Sequence, residues 1–222
     1  MKYMMCLLTA GCLISCNQNN DLVKEQTYFD REQTQLKSEG TIDKNTERKE
    51  GLWKFYNTKG ELVQEGTYKN DQQTGTWEYF IPLHQKGELV DGRKEGIWKS
   101  FHNNGRVSSI AQYVNDRQEG KCESFYENGN LGTESYYENG KLNGPYIIFS
   151  HKTGDTSLYA TYVDDQREGL FKNYSDGKPY VIGYWKQDIG FVGEVRHYRG
   201  DKLVEREYKD HNGKTLSKES LY

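Results

Sequence analysis

The side chains best suited to chemistry are five histidines, and their spacing argues against a catalytic or metal site. They are scattered, mostly in or near expected turns, at His84, His102, His151, His197 and His211. No two of them stand at ligand spacing from a cysteine or a carboxylate, as a zinc site would require. The sequence also has no Gly-x-Ser-x-Gly elbow, no P-loop and no glycine-rich dinucleotide motif opening a helix. We therefore expect no enzymatic activity, no metal and no cofactor.

A different chemistry, lipid attachment, is indicated at Cys16. Lys2 is followed by an uncharged run from Met4 to Ile14, which is too short to span a bilayer and has the form of a secretory signal. The run ends in Leu-Ile-Ser-Cys, which resembles a bacterial lipobox. This resemblance implies that Cys16 carries a diacylglycerol thioether and becomes the mature N-terminus, because several acyl chains together anchor a domain stably. The alternative is an ordinary secreted protein in which Cys16 is incidental.

These features divide the N-terminal part of the chain. We predict a lipoprotein signal peptide over residues 1–16 and a flexible polar tether over 17–26. Position 17 is Asn rather than Asp, which by analogy with enterobacterial sorting predicts the outer membrane, in a periplasmic or surface-exposed position.

Cysteine usage fits this division. Cys6 and Cys12 would leave with the signal, so that Cys122 is the one cysteine remaining in the folded part beyond Cys16. No disulfide framework is therefore expected. Cys122 lies in an internal repeat, described below, at the position where other copies have tryptophan. This position predicts a small buried hydrophobic residue and not a nucleophile.

Composition indicates a thin fold without a deep core. Hydrophobic residues make up 34% of the chain and aromatic residues 14%, and the mean hydropathy is −1.00. The many aromatic side chains, including 18 Tyr, argue against disorder. The net charge of −3, with mixed signs along the strands, lacks the basic footprint of a nucleic-acid-binding protein.

An internal repeat organises the rest of the chain. Copies begin at glycines separated by 24, 21, 24, 24, 25 and 24 residues, namely Gly51, Gly75, Gly96, Gly120, Gly144, Gly169 and Gly193. A partial copy over 27–50 precedes them, so that the repeat array is predicted over 27–222. Each copy has two strand-length runs joined by turn residues such as Asn-Gly and Asn-Asp, which predicts tandem β-hairpins.

Two positions in each copy define the expected faces of the sheet. Tryptophan stands two residues after the first three glycines, at Trp53, Trp77 and Trp98. Tyrosine usually stands seven residues before the next glycine, as at Tyr68 and Tyr113, and a small residue precedes it by two positions. Because residues of equal parity share one face of a strand, one face should be aromatic and the other polar. We expect the small residue to leave room for a neighbouring ring to lie over the backbone. Most of the rings are expected to form the thin core, particularly the aromatic residues five after each glycine.

The pattern Gly-x-Trp-x-x-Tyr/Phe, a turn, Leu and a tyrosine-bearing strand resembles the MORN repeat, specifically its variant form. Bacterial proteins with this variant are often labelled antitoxin-like or immunity-like. The resemblance covers residues 36–208 and implies an all-β fold, an elongated single-layer antiparallel sheet of tandem hairpins. At about 4.8 Å between strands, seven two-stranded copies would extend roughly 65 Å.

The sequence therefore favours a non-catalytic, lipid-anchored module that binds a protein at the cell envelope. In the most specific version of this hypothesis, the bound protein is a secreted toxin, which the module neutralises. The candidate partner-binding patch consists of Trp53, Trp77, Trp98, Tyr68 and Tyr113. Tyrosine and tryptophan beside charged residues are typical of protein-binding surfaces. The alternative is a lipoprotein that binds cell wall or glycan by stacking sugars on the aromatic face.

Overall fold

The computed structural model describes residues 21–187 and 189–221, which form seventeen β-strands. The strands are β1 Leu22–Tyr28, β2 Leu36–Asp43, β3 Lys49–Tyr56, β4 Leu62–Lys69, β5 Gln72–Tyr79, β6 Gln85–Val90, β7 Arg93–Phe101, β8 Val107–Val114, β9 Arg117–Phe125, β10 Leu131–Glu138, β11 Lys141–Phe149, β12 Thr156–Val163, β13 Gln166–Ser175, β14 Lys178–Lys186, β15 Gly190–Arg199, β16 Lys202–Lys209 and β17 Thr215–Ser220. The predicted signal peptide, the lipidation site Cys16 and the first residues of the predicted tether lie outside the described residues.

The strands form one open antiparallel sheet with the topology of a meander. Each strand pairs with the next one along the chain, from β1 with β2 to β16 with β17. The predicted all-β, single-layer sheet of tandem hairpins is therefore confirmed. No helix in the described part of the chain is long and apolar enough to cross a membrane.

The N-terminal boundary of the array differs from the prediction. Strand β1 starts at Leu22, so residues 22–26 belong to the sheet and not to the tether predicted over 17–26. Val23 lies opposite Ile42, and Gln26 lies opposite Glu39. Pairing with β2 satisfies the backbone of this segment, which a free tether would leave to water. At the other end, β17 is the last strand of the array.

The turns have the backbone geometry that their residues predict. Asn70 and Asp71 have φ angles of 52° and 67°, and Asp91 and Gly92 have 50° and 77°. Positive φ at both central positions is the signature of a type I′ turn, whose twist matches that of the flanking strands. Because the strands form a meander, the turns between copies lie at one end of the strands and the turns within copies lie at the other end.

Aspartates in the turns between copies brace successive hairpins. The Asp71 carboxylate accepts a hydrogen bond of 2.7 Å from the backbone N–H of Lys49. Asp116 and Asp165 do the same with Lys94 and Leu142, also at 2.7 Å. Each bond joins residues 22 or 23 positions apart, so it links one turn with the equivalent place in the previous copy.

Three tryptophans form the core by lying over glycines of the preceding strand. A Cβ atom at Gly40, Gly66 or Gly87 would overlap the ring of Trp53, Trp77 or Trp98, respectively. Each indole N–H donates to a carbonyl of that strand, for example Trp53 Nε1 to Thr41 O at 2.9 Å and Trp98 Nε1 to Glu88 O at 3.0 Å. The expectation that a small residue leaves room for a ring is confirmed.

The aromatic residues five after each glycine are not the core, contrary to expectation. Tyr56 lies on the polar face, where its hydroxyl donates to Glu39 at 2.7 Å, whereas Trp53 of the same strand lies on the aromatic face. The odd separation of three residues places the two rings on opposite faces. The fully buried hydrophobic residues are instead Trp53, Trp77, Leu89, Trp98, Ala111, Ala160, Phe171 and Val195.

The residues two after each repeat glycine, among them Trp53, Trp77, Trp98 and Cys122, form a row across the sheet, here called the core row. Side-chain volumes are complementary across this row. Trp77 lies opposite Gly66 in β4 and Gly87 in β6, two residues without side chains. Where the row continues with Cys122, the opposite residues are Ala111 and Ser135. Larger neighbours thus accompany a smaller central residue, which keeps the row filled without a second layer.

The glycine under Trp77 provides a direct test of this packing. We expect Gly66→Ala to lower the free energy of unfolding by about 1–3 kcal/mol, because the added methyl displaces the indole ring. In the Trp77→Val background the same substitution should cost much less, since the overlapping ring is gone. Urea unfolding of the unchanged protein, the two single variants and the double variant measures the coupling between Gly66 and Trp77. Equal costs of Gly66→Ala in both backgrounds would show that the ring does not depend on this glycine.

The polar face is held together by charge pairs across the strands. Lys86 lies 3.0 Å from Glu78, and Lys121 lies 2.8 Å from both Glu123 and Glu134. Glu39 has a lowered pKa, chiefly because the Tyr56 hydroxyl donates to its carboxylate. Burial, together with that hydrogen bond, raises the pKa of Tyr56 to about 12.

Tyr56→Phe is expected to raise the pKa of Glu39 toward its ordinary value of 4.5. Because the folded pKa is depressed, this carboxylate stabilises the fold above its unfolded pKa and loses that contribution as the pH falls through the folded pKa. The variant should therefore lose less stability on acidification. Carboxyl-detected NMR titration of Glu39 measures the shift, with Tyr174→Phe as the control. An unchanged pKa in Tyr56→Phe would show that the hydrogen bond does not govern Glu39.

Candidate protein-interaction face

The aromatic face carries a continuous ladder of five rings across three copies. Successive centroids are 6.1 Å apart from Trp53 to Phe55, 6.4 Å from Phe55 to Trp77, 6.0 Å from Trp77 to Tyr79 and 6.1 Å from Tyr79 to Trp98. The ladder alternates between the core row and residues two positions further along each strand. It ends after Trp98 because the next positions are Ser100 and Cys122.

The three tryptophans of the predicted binding patch are buried, which corrects that part of the prediction. Trp53, Trp77 and Trp98 have only 1%, 0% and 3% of their surface exposed. Their rings lie flat against glycine backbone and are covered by neighbouring side chains, so they are not available to a partner. They support the surface instead of forming it.

Tyr68 and Tyr113 are the members of the predicted patch that remain at the surface. Both are half-buried, and both stand edge-on to a tryptophan. The Tyr68 ring is 5.3 Å from Trp77 at an interplanar angle of 82°, and the Tyr113 ring is 6.5 Å from Trp98 at 73°. Burial raises the pKa of both hydroxyls, which therefore stay protonated donors at neutral pH.

Basic side chains lie over the rings, a feature that the sequence reasoning missed. Lys49 Nζ is 4.8 Å from the centroid of Trp53, and Lys94 Nζ is 4.1 Å from that of Trp98. Arg167 lies in the same way over Trp185, at 4.6 Å. All three residues stand two positions before a repeat glycine. That spacing was visible in the sequence and places each cation on the aromatic face beside a tyrosine position.

These three cations make no ion pair within the part of the chain that the structure describes. No carboxylate oxygen of a described residue lies within 4.0 Å of their charged nitrogens. Burial lowers the pKa of Lys94, whose Nζ donates to Gln85 at 2.9 Å. Several cations of the polar face, by contrast, are paired with glutamates of neighbouring strands.

A second aromatic cluster, also missed, lies toward the C-terminal end of the same face. It consists of Phe171, Trp185 and Phe191, with ring centroids 5.0 to 5.6 Å apart. Trp185 pairs with Gly169, as Tyr68 pairs with Gly51, and so occupies the tyrosine position of its copy. It stands eight residues before the next glycine instead of seven, so the fixed spacing of the tyrosine position does not identify it.

The histidines are dispersed over the sheet. His84 stacks between Phe80 and Phe101 and lies 2.8 Å from Glu78. His102 contacts the carbonyl of Phe125 at 2.8 Å. Among the described residues, no group of three or more His, Cys, Asp or Glu side chains could hold a metal ion.

Cys122 is free and half-buried in the core row. Burial raises the pKa of its thiol. A thiol that stays protonated is a poor nucleophile, so the chemistry of this position agrees with a packing role.

Comparison with protein families connects this geometry with a known repeat. Residues 49–70, 94–115 and 118–131 match the MORN repeat variant. The first segment covers β3 and β4, and the second covers β8 and most of β7. Each of the two segments begins at a lysine that lies over the rings. No curated protein matches the chain. The hairpins of this sheet thus include units that are similar to the MORN repeat variant.

Proposed function

We propose that this chain is a non-catalytic protein-binding module and that its aromatic face is the binding surface. The observation that carries the proposal is the set of cations on that face, Lys49, Lys94 and Arg167. Their charged groups lie beside half-buried tyrosines and make no ion pair with a carboxylate of the described residues. Tyrosine, tryptophan and arginine dominate the energetics of protein interfaces. A partner that covered this face would bury rings and supply the missing negative charges.

The alternative, binding of glycan by ring stacking, is less well supported. A stacking platform needs an exposed ring face, and the indoles of Trp53, Trp77 and Trp98 are at most 3% exposed. The half-buried tyrosines present edges and hydroxyls more than open ring faces, since they stand edge-on to the tryptophans. Such groups suit hydrogen bonding to a protein surface.

We further propose that the module works at the cell envelope, anchored by a lipid on Cys16. The uncharged run before the cysteine and the polar residues after it support this anchoring. A lipid-anchored binding module without a catalytic site fits neutralisation of a secreted toxin, which is the sharpest form of the proposal.

Processing at Cys16 is directly measurable. Expressed in a bacterium, the protein should be cleaved before Cys16 and carry a diacylglycerol thioether there, so that it fractionates with membranes. Mass spectrometry of the N-terminal peptide measures this. Cys16→Ser should leave an unlipidated protein. A mature N-terminus elsewhere, without lipid, would contradict the anchor.

Crosslinked capture from the native envelope tests the binding function. The lipidated protein should recover one protein in stoichiometric amount, and its identity decides whether the module neutralises a toxin. Tyr68→Ala and Tyr113→Ala should each weaken binding about tenfold or more, as loss of an interface anchor does. Tyr184→Ala is the matched control, because Tyr184 is 61% exposed on the opposite face. Recovery of glycan alone, or equal losses in the control, would contradict the proposal.

A further inference from the structure

Arg167 differs from the other cations of the aromatic face in how its charged group is held. Its guanidinium lies 4.6 Å from the ring centroid of Trp185, 5.1 Å from Phe171 and 5.9 Å from Tyr162. The guanidinium therefore lies within cation–π distance of three rings.

The hydrogen-bonding capacity of this guanidinium is largely unused. Its Nε atom is buried and has no hydrogen-bond partner in the described residues. Nη2 has a long contact of 3.5 Å to the Tyr162 hydroxyl. A guanidinium has five N–H donors, and a buried donor that loses water without gaining a partner is unfavourable.

The carboxylates nearest in the sequence are already engaged elsewhere. Asp165 accepts the backbone N–H of Leu142 at 2.7 Å, and Glu168 accepts that of Gln187 at 3.1 Å. Both carboxylates are therefore held by backbone N–H groups. Among the described residues, the Arg167 guanidinium makes no ion pair, and its Nη2 has only the long contact with Tyr162.

We propose that Arg167 is a carboxylate-binding site, which receives an aspartate or glutamate side chain of the protein partner. The inference rests on the proposed function, because it names the chemistry that the partner brings to the aromatic face. A carboxylate matches the outer end of the guanidinium with two parallel hydrogen bonds, one from each of the terminal nitrogens Nη1 and Nη2.

Lys49 and Lys94 mark the equivalent places of other copies but lack this geometry. Lys94 already donates to Gln85 at 2.9 Å. An ammonium group binds as a point charge and selects no bidentate ligand. They would add attraction for an acidic partner, whereas Arg167 fixes where its carboxylate lies.

The test uses a hexaglutamate peptide as the probe and the side-chain Nε–H resonance of Arg167 as the readout. Titration should shift that resonance saturably. Arg167→Lys, which keeps the charge and loses the fork, should weaken binding of the peptide by at least tenfold. Lys172→Ala is the matched control, because Lys172 lies on the same strand but on the opposite face, and it should bind the peptide as the unchanged protein does.

Several results would overturn the assignment. An Arg167 resonance that does not move, or undiminished peptide binding by Arg167→Lys, would remove the site. A shift of equal size with inorganic phosphate would show a site for oxyanions in general, and loss of binding to phosphatidylserine vesicles in Arg167→Lys would assign it to lipid headgroups. If the envelope partner is captured equally by Arg167→Lys, the carboxylate site fails while the binding function stands. If hexaglutamate binds but no protein is captured, the binding function fails instead.

Discussion

The contact between an indole ring and the backbone of a glycine is the interaction on which the sheet depends. A single layer of strands has no opposite layer to exclude water, yet Trp77 has no exposed surface. The ring achieves this by lying flat on Gly66, with its N–H bonded to the Thr67 carbonyl at 3.2 Å. The thickness that a second layer would supply comes from the ring itself. Any side chain at the glycine would lift the indole and reopen the face to solvent.

The same constraint explains how the row changes along the sheet and how it ends. Where the ring is absent, at Cys122, the flanking strands carry Ala111 and Ser135. At the N-terminal end, Glu25 lies opposite Gly40, in the place that tryptophan takes in later copies. At the C-terminal end, Glu207 faces Lys218 and lies 3.2 Å from Lys209. Charged residues therefore take the place of apolar ones at both ends of the row, as polar capping repeats do in other arrays.

Much of the fold could be read from the sequence, because its signals are local. The turn at Asn70 and Asp71 needs residues that tolerate positive φ, and the glycine period fixes the hairpins. The burial of Trp53, Trp77 and Trp98 could not be read in this way, since strand parity assigns a face without telling what covers it. The role of Trp185 could not be predicted because one additional residue shifts its spacing from the next glycine. Strand β1 could not be predicted because no repeat glycine precedes it. The cations of the aromatic face have a regular spacing, but the absence of an ion pair to them among the described residues depends on where each acidic side chain is engaged.

The order of the strands has a consequence for how such a protein can change. Substantial contacts join only strands that are consecutive in the chain. A whole hairpin can therefore be duplicated or deleted without breaking any contact other than those at its own two borders. At about 4.8 Å per strand, each such event would move Lys94 and Arg167 apart or together by roughly 10 Å if it fell between them. Recombination between copies would therefore change the spacing of the charges, and the core contacts away from the two borders would stay as they are.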